Sequence, residues 1–193
     1  MRGVPVVRVL IDACVLYPTV MREVVLGAAK AGLFEPRWSE RIEEEWARAA
    51  ARLGPQDEAV TRGEIAVLRS RFPRAVVPRA QGLEERLWLP DASDIHVLAS
   101  AISGSADLIL TSNAKDFPRN ILAEEGLSRA DPDGFLLGLW EAEPGVMGEV
   151  VGRVLAEARR LSGEDWTLRK LMKKARLPRL GKALEAADGQ ALG

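Results

Sequence analysis

The chain has 193 residues, 47% of them hydrophobic, which is enough for one domain of ordinary size plus an appendage and excludes disorder as the overall state. A formal net charge of -1 excludes a global electrostatic grip on a polyanion, so a nucleic-acid substrate would need local basic patches or metal ions to hold it. The single cysteine, Cys14, excludes an intramolecular disulfide and fits a reducing cytoplasm; the start of the chain, broken by Arg2, Arg8 and Asp12, lacks the pattern of a signal peptide, and no stretch approaches the ~18 apolar residues of a membrane span.

In chain order, residues 6–12 (VVRVLID) are a β-branched run ending on an acid, which predicts a buried strand. Tyr17-Pro18 marks a turn, and residues 22–32 predict a helix closed by Gly32. A second helix is expected over 40–53, N-capped by Ser39 and broken at Gly54-Pro55, and a third over 58–71. Residues 75–78 are a short strand candidate, 91–103 an Ala- and Leu-rich helix introduced by Pro90, and 107–111 (DLILT) another buried strand. Alternating strands and helices predict βαβ units and a parallel sheet covered on both faces. Past residue 135 only helices are expected, over 135–141, 146–161 and 167–175. The chain therefore divides into a domain over 1–135 and a helical C-terminal extension over 136–193. Residues 169–182 carry seven basic residues and no acid, ordinarily a solvated face, and 189–193 are expected to fray.

Ligands of an open parallel sheet sit outside the carboxyl ends of its strands. Asp12 directly follows Val9-Leu10-Ile11 and so falls at that edge. Glu45 is the third of three consecutive glutamates. With Ile42, Trp46, Ala49 and Leu53 as the apolar stripe, Glu45 lies about 60° from Ile42, against about 100° for Glu43 and about 200° for Glu44. Glu45 is therefore expected to lean inward, where a metal ion or an arginine would offset its burial, and Glu43 and Glu44 to be solvated. Asp91 and Asp94 open a helix, as capping alone would favour, but Asp94 shares the face of Leu98, Ala101 and Ile102 that should pack on the sheet. Asp116 follows the 107–111 strand through Ser112-Asn113-Ala114-Lys115. Asp12, Glu45, Asp94 and Asp116 thus converge on one edge. Packed carboxylates repel unless protonated or sharing a cation, and hard oxygen ligands without paired His or Cys favour Mg²⁺ or Mn²⁺.

These stretches resemble the PIN-domain ribonucleases found in VapC-type bacterial toxins. VLIDACVLYP is similar to the family's opening strand and first acid, Asp12. WSERIEEEW resembles the helix bearing the second acid, Glu45. DASDIHVLASAISGSADLILTSNAKDFP carries the third and fourth, Asp94 and Asp116. The likeness spans roughly residues 8–135, and DPDGFLLGLW and LRKLMKKARLP resemble the helical extension of one VapC-like subgroup. It implies a three-layer α/β/α sandwich with a parallel sheet, and Mg²⁺- or Mn²⁺-dependent endonucleolytic cleavage of tRNA, rRNA or mRNA by in-line water attack. It also implies a cognate antitoxin that blocks the site, and frequent homodimers. Catalysis and metal binding fall to Asp12, Glu45, Asp94 and Asp116, with Asp91, Thr111, Ser112 and Asn113 as supporting or substrate contacts. Cys14 stands where many members carry Asn, and Asn113 where many carry another acid.

His96, about 200° around the helix from Asp94, reads as a packing residue, and as the only histidine it supports no Ser/His/Asp or Cys/His arrangement. Trp88, just ahead of Asp91, is a candidate lining of a substrate groove. A phosphotransfer domain would want a second acid near Asp12, at position 14 or by the strand end, and none is there. A non-catalytic RNA- or partner-binding PIN module, or a housekeeping RNA-processing nuclease, are the alternatives left open.

Overall fold

The computed structural model describes residues 6–191. Its strands are β1 (Arg8–Ile11), β2 (Glu35–Ser39), β3 (Val76–Val77), β4 (Leu108–Leu110) and β5 (Ser128–Ala130), all parallel, in the order β3-β2-β1-β4-β5. The helices are α1 (Ala13–Leu16), α2 (Thr19–Lys30), α3 (Glu40–Ala51), α4 (Pro55–Arg71), α5 (Gln81–Arg86), α6 (Ile95–Ser103) and α7 (Arg119–Glu124). Then come α8 (Pro132–Ala142), α9 (Pro144–Ser162), α10 (Leu168–Lys174) and α11 (Pro178–Ala191). An all-parallel sheet flanked by helices is the α/β/α sandwich expected from the alternation of elements. Among the described residues, no helix is long and apolar enough to cross a membrane.

The chain forms two compact units. One takes the chain up to Tyr17 and Phe34–Ala130, and holds the whole sheet. Its centre is β1, where Val9, Leu10 and Ile11 are fully buried beside Ile109 and Leu110 of β4. Strands covered on both faces read as unbroken apolar runs, which is why these two were visible in the sequence. Neither β2 nor β5 was. In β2, EPRWS contains a proline, which cannot donate to a ladder. Pro36 is tolerated because β3 pairs only with Trp38 and Ser39, so the missing donor falls before that pairing begins. β5 is a three-residue edge strand, SRA, with no apolar signal beyond its alanine.

The other unit, Pro18–Leu33 and everything from Asp131 on, is helical. Here α2 crosses α9 closely: a Cβ built on Gly27 would lie 2.7 Å from Val150 Cγ1, so only glycine fits without a shift. Buried Asp133 accepts from the backbone N–H groups of Arg179 and Leu180, both at 3.0 Å, and so caps the start of α11. Several of the basic residues over 169–182 are occupied: Arg169 by Glu185, Arg179 by Asp131 and Asp133, and Lys174 over the Trp166 ring at 4.6 Å. The helical backbone continues to Ala191; of the residues expected to fray, 192–193 lie outside the described residues.

α3 corrects one expectation. Ser39 does cap it, accepting from the Ile42 N–H at 3.3 Å. Glu43, however, is buried rather than solvated, at 3% exposure. Its carboxylate accepts from Trp38 Nε1 at 2.9 Å and from Arg69 Nε and Nη2 at 3.1 and 2.5 Å. α3 packs against α4, α1 and β2 together, and its buried face, Ile42, Glu43, Trp46, Ala47 and Ala50, is turned toward Glu43 from the stripe read from the sequence, leaving Leu53 71% exposed. Glu43→Ala leaves the buried Trp38 Nε1 without an acceptor. It should lower stability by ~1–3 kcal/mol in a denaturant titration; an unchanged midpoint would show that Glu43 is structurally idle.

Candidate metal centre

The strand order reverses between β1 and β4: the chain runs outward from β1 to β2 and β3, then returns to β1's other side. Such a switch point opens a crevice at the carboxyl ends of the two strands. Their register pairs Ile11 with Leu110, so Asp12 and Thr111 leave the sheet side by side. The Asp12 N–H still donates to Leu110 O at 3.1 Å, and the Thr111 N–H to Ala130 O at 3.1 Å. Both residues are therefore held by the sheet ladder itself.

Asp12 is nearly buried, at 8% exposure, and its Oδ2 accepts two hydrogen bonds. Thr111 Oγ1 donates at 2.7 Å and Cys14 Sγ at 3.0 Å. Burial, with the Asp12 charge adding to it, pushes the Cys14 thiol up to about 12, so it stays protonated and remains a donor. The thiol thus fills the role an Asn would have at this position, a contact that no local pattern encodes. Asn113 in turn donates its backbone N–H to Thr111 Oγ1 at 3.0 Å and its side-chain amide to Asp116 Oδ2.

Asp91 N-caps the 3₁₀ turn Ala92–Asp94, accepting from the Ser93 N–H at 2.9 Å and the Ser93 hydroxyl at 2.7 Å. These bonds, the Ser93 hydroxyl foremost, hold its carboxyl below the usual range. The turn continues into α6 and delivers Asp94 to the same edge, while a second 3₁₀ turn, Ala114–Asp116, delivers Asp116. Asp91, Asp94 and Asp116 each offer a carboxylate oxygen within 4.8 Å of the others. Partial burial first, and then the charges of Asp12, Asp91 and Asp116, push Asp94 up to about 6. Four carboxylates therefore interact at this edge, and their mutual repulsion is what a bound cation would relieve. An all-oxygen donor set fits a hard divalent ion.

Glu45 stands outside the group of three. Its Oε1 lies 2.8 Å from His96 Nε2 and 3.5 Å from Arg41 Nε. His96 is 3% exposed, and neither ring nitrogen has a well-aligned hydrogen bond among the described residues, so the short approach to Glu45 is off the line of one. His96, expected as a packing residue, instead meets Glu45 of α3. Glu45 and Cys14 also line one pocket of about 310 Å³ with Tyr17, Trp46 and Arg52. Through Cys14, that pocket adjoins Asp12.

A family model described as a PIN domain matches residues 8–115, more than half of the chain, which include Asp12, Glu45, Asp91 and Asp94 and stop one residue short of Asp116. No curated protein and no solved structure matches the chain.

A folded-state value of about 6 against a usual 3.8 means that the fold takes up a proton at Asp94, so the ionised carboxylate costs stability above about pH 6 and none below the usual range. Asp94→Asn should raise the melting temperature of the metal-free protein at pH 7, by about 2–4 °C, and remove the further rise that Mn²⁺ gives the unmodified chain. Mn²⁺ affinity should weaken as pH falls through about 6, because proton and cation compete for Asp94. Calorimetry across that range checks both; a pH-independent affinity would remove Asp94 from the ion's neighbours.

Proposed function

Because the chain belongs to the PIN-domain family, whose members are in general metal-dependent nucleases, we propose that it is an Mg²⁺- or Mn²⁺-dependent endoribonuclease and the toxin of a toxin–antitoxin pair. The observation that carries this reading is the meeting of Asp91, Asp94 and Asp116 within 4.8 Å at the edge where Asp12 leaves β1. Residues 1–135 act as the nuclease domain and 136–193 as a helical extension. The toxin role, a cognate antitoxin that covers the acidic edge, and a homodimer rest on the resemblance of the motifs to VapC-type proteins, and a cytoplasmic location on the single cysteine, Cys14.

Asp91, Asp94 and Asp116 would hold the ion, with Asp12 beside them at the end of β1. When bound, the ion supplies Lewis-acid stabilisation of phosphate oxygens and lowers the pKa of the attacking water. The chain's own residues do the positioning. Thr111 and Cys14 fix the Asp12 carboxylate, and Asn113 fixes Asp116, so neither side chain needs to reorganise when charge develops. Glu45, set against His96, orients the water for in-line attack on the scissile phosphate. Ser112, whose backbone N–H donates to the Cys14 sulfur at 3.3 Å, presents its hydroxyl to the phosphate. Water as the nucleophile leaves 5′-phosphate and 3′-hydroxyl ends.

With Mn²⁺, RNA should be cut, and EDTA should stop it. Asp12→Asn and Asp94→Asn should abolish cleavage while leaving the circular dichroism spectrum intact. Thr111→Val keeps the shape of the side chain but removes its donor to Asp12, and should cost about 10–100-fold in activity. Cleavage that survives Asp12→Asn or Asp94→Asn would sink the site, and RNA left uncut with and without metal would point instead to a binding module.

A further inference from the structure

Five tryptophans sit in very different surroundings. Trp38 and Trp46 are buried at 1% and 2% exposure, Trp140 and Trp166 are partly covered, and Trp88 is 66% exposed. An indole in water forgoes the burial that makes tryptophan useful in a core. Trp88 lies in the extended segment between α5 and the turn that Asp91 caps, where side chains alternate: Leu89 is buried at 2%, while Trp88 and Pro90 face outward. Leu89 thus anchors the segment from below. Its upstream end is fixed by Arg86, whose guanidinium grips Glu125 through bonds of 2.7 and 2.9 Å. The indole is therefore displayed on a braced segment.

Its distance from the acidic edge is limited by covalent geometry. Only Leu89 and Pro90 lie between Trp88 and Asp91, so their Cα atoms, three steps along the chain, are at most about 11 Å apart. A nucleobase next to a phosphate at Asp91, Asp94 and Asp116 falls within reach of the ring. The surroundings suit a nucleic acid better than a protein partner. Along the chain the exposed neighbours are Glu85, Arg86, Pro90 and Asp91, charged but for the proline and not an apolar patch; Arg86 is taken up by Glu125, and Lys115, close enough to Asp91 to act on its charge, is a cation at hand for the backbone. Proteins that hold single strands pair cations for the backbone with exposed aromatic rings for the bases.

Building on the nuclease reading above, we propose that Trp88 is a stacking platform that positions an unpaired nucleobase beside the scissile bond. A base within a duplex already stacks on its neighbours and offers no free face to the indole, whereas a splayed base does.

The test uses the full chain, a fluorescein-labelled oligouridylate dodecamer, and the same strand paired with its adenylate complement. Ca²⁺ replaces Mn²⁺ during binding to hold off cleavage. Trp88→Ala should weaken single-strand binding by about fivefold or more. Trp88→Phe should keep most of the affinity, and Mn²⁺ binding should be unchanged in both. Adding the single strand to the unmodified protein should shield its tryptophan fluorescence from acrylamide, an effect lost in Trp88→Ala. Equal single-strand affinity for the unmodified protein and Trp88→Ala, or equal affinity of the unmodified protein for strand and duplex, would overturn the proposal. So would a Trp88→Ala defect seen only as a changed sedimentation coefficient, which would make the ring a protein contact. If the unmodified protein binds no dodecamer and cuts no RNA with Mn²⁺, the nuclease reading itself falls, and this inference with it.

Discussion

The hydrogen bond from Thr111 to Asp12, 2.7 Å long, joins the ends of two neighbouring parallel strands, and the acidic edge is organised around it. Asp12 is almost out of water, so its carboxylate must be satisfied locally. Thr111 and the Cys14 thiol do that on one oxygen. Thr111 is fixed in turn by the Asn113 backbone, and the Asn113 side chain reaches Asp116. A single chain of donors therefore runs from β1 through β4 to the turn that carries the fourth acid. What the chain does not neutralise is charge. Asp94, half-buried among three other acids, holds its proton up to about pH 6. Stability given up at such an edge is recovered only when a cation arrives, the usual logic of a site built for metal.

Much of this was legible in the sequence, for reasons that differ by residue. Strands β1 and β4 declared themselves because burial on both faces leaves no polar residue to confuse the pattern. Asp12 and Asp116 followed from standing just beyond them. Asp94 sits in the 3₁₀ turn just ahead of α6, and the phase argument reached it because Leu98 and Ala101 of that helix do pack inward. Phase failed on α3. Its three neighbours turn the buried face toward Glu43 and leave Leu53 of the expected stripe exposed, and the partners that make the burial of Glu43 tolerable, Trp38 and Arg69, are 5 and 26 residues away. No local periodicity encodes a partner at that range. β2 and β5 were hidden by Pro36 and by edge position.

The same limit explains His96 and Cys14. His96, weighed against its own element alone, reads as packing, and Cys14 reads only as a replacement for the Asn that many family members carry. Their roles come from contacts across the fold, His96 with Glu45 on α3 and Cys14 with Asp12 and Thr111. The Asp-x-x-Asp-x-His run was the available signal, and it was read for its acids only. Glu45 differs from the aspartates in kind: it touches His96 and Arg41 rather than the clustered carboxylates, which suits a residue that handles water at the rim.

A carboxylate edge that holds a divalent cation should reveal it by anomalous diffraction from crystals soaked in Mn²⁺. An anomalous peak among the carboxylates of Asp91, Asp94 and Asp116 is the result expected, with the peak gone in Asp94→Asn. A peak elsewhere, or none at millimolar Mn²⁺ above pH 7, would contradict it.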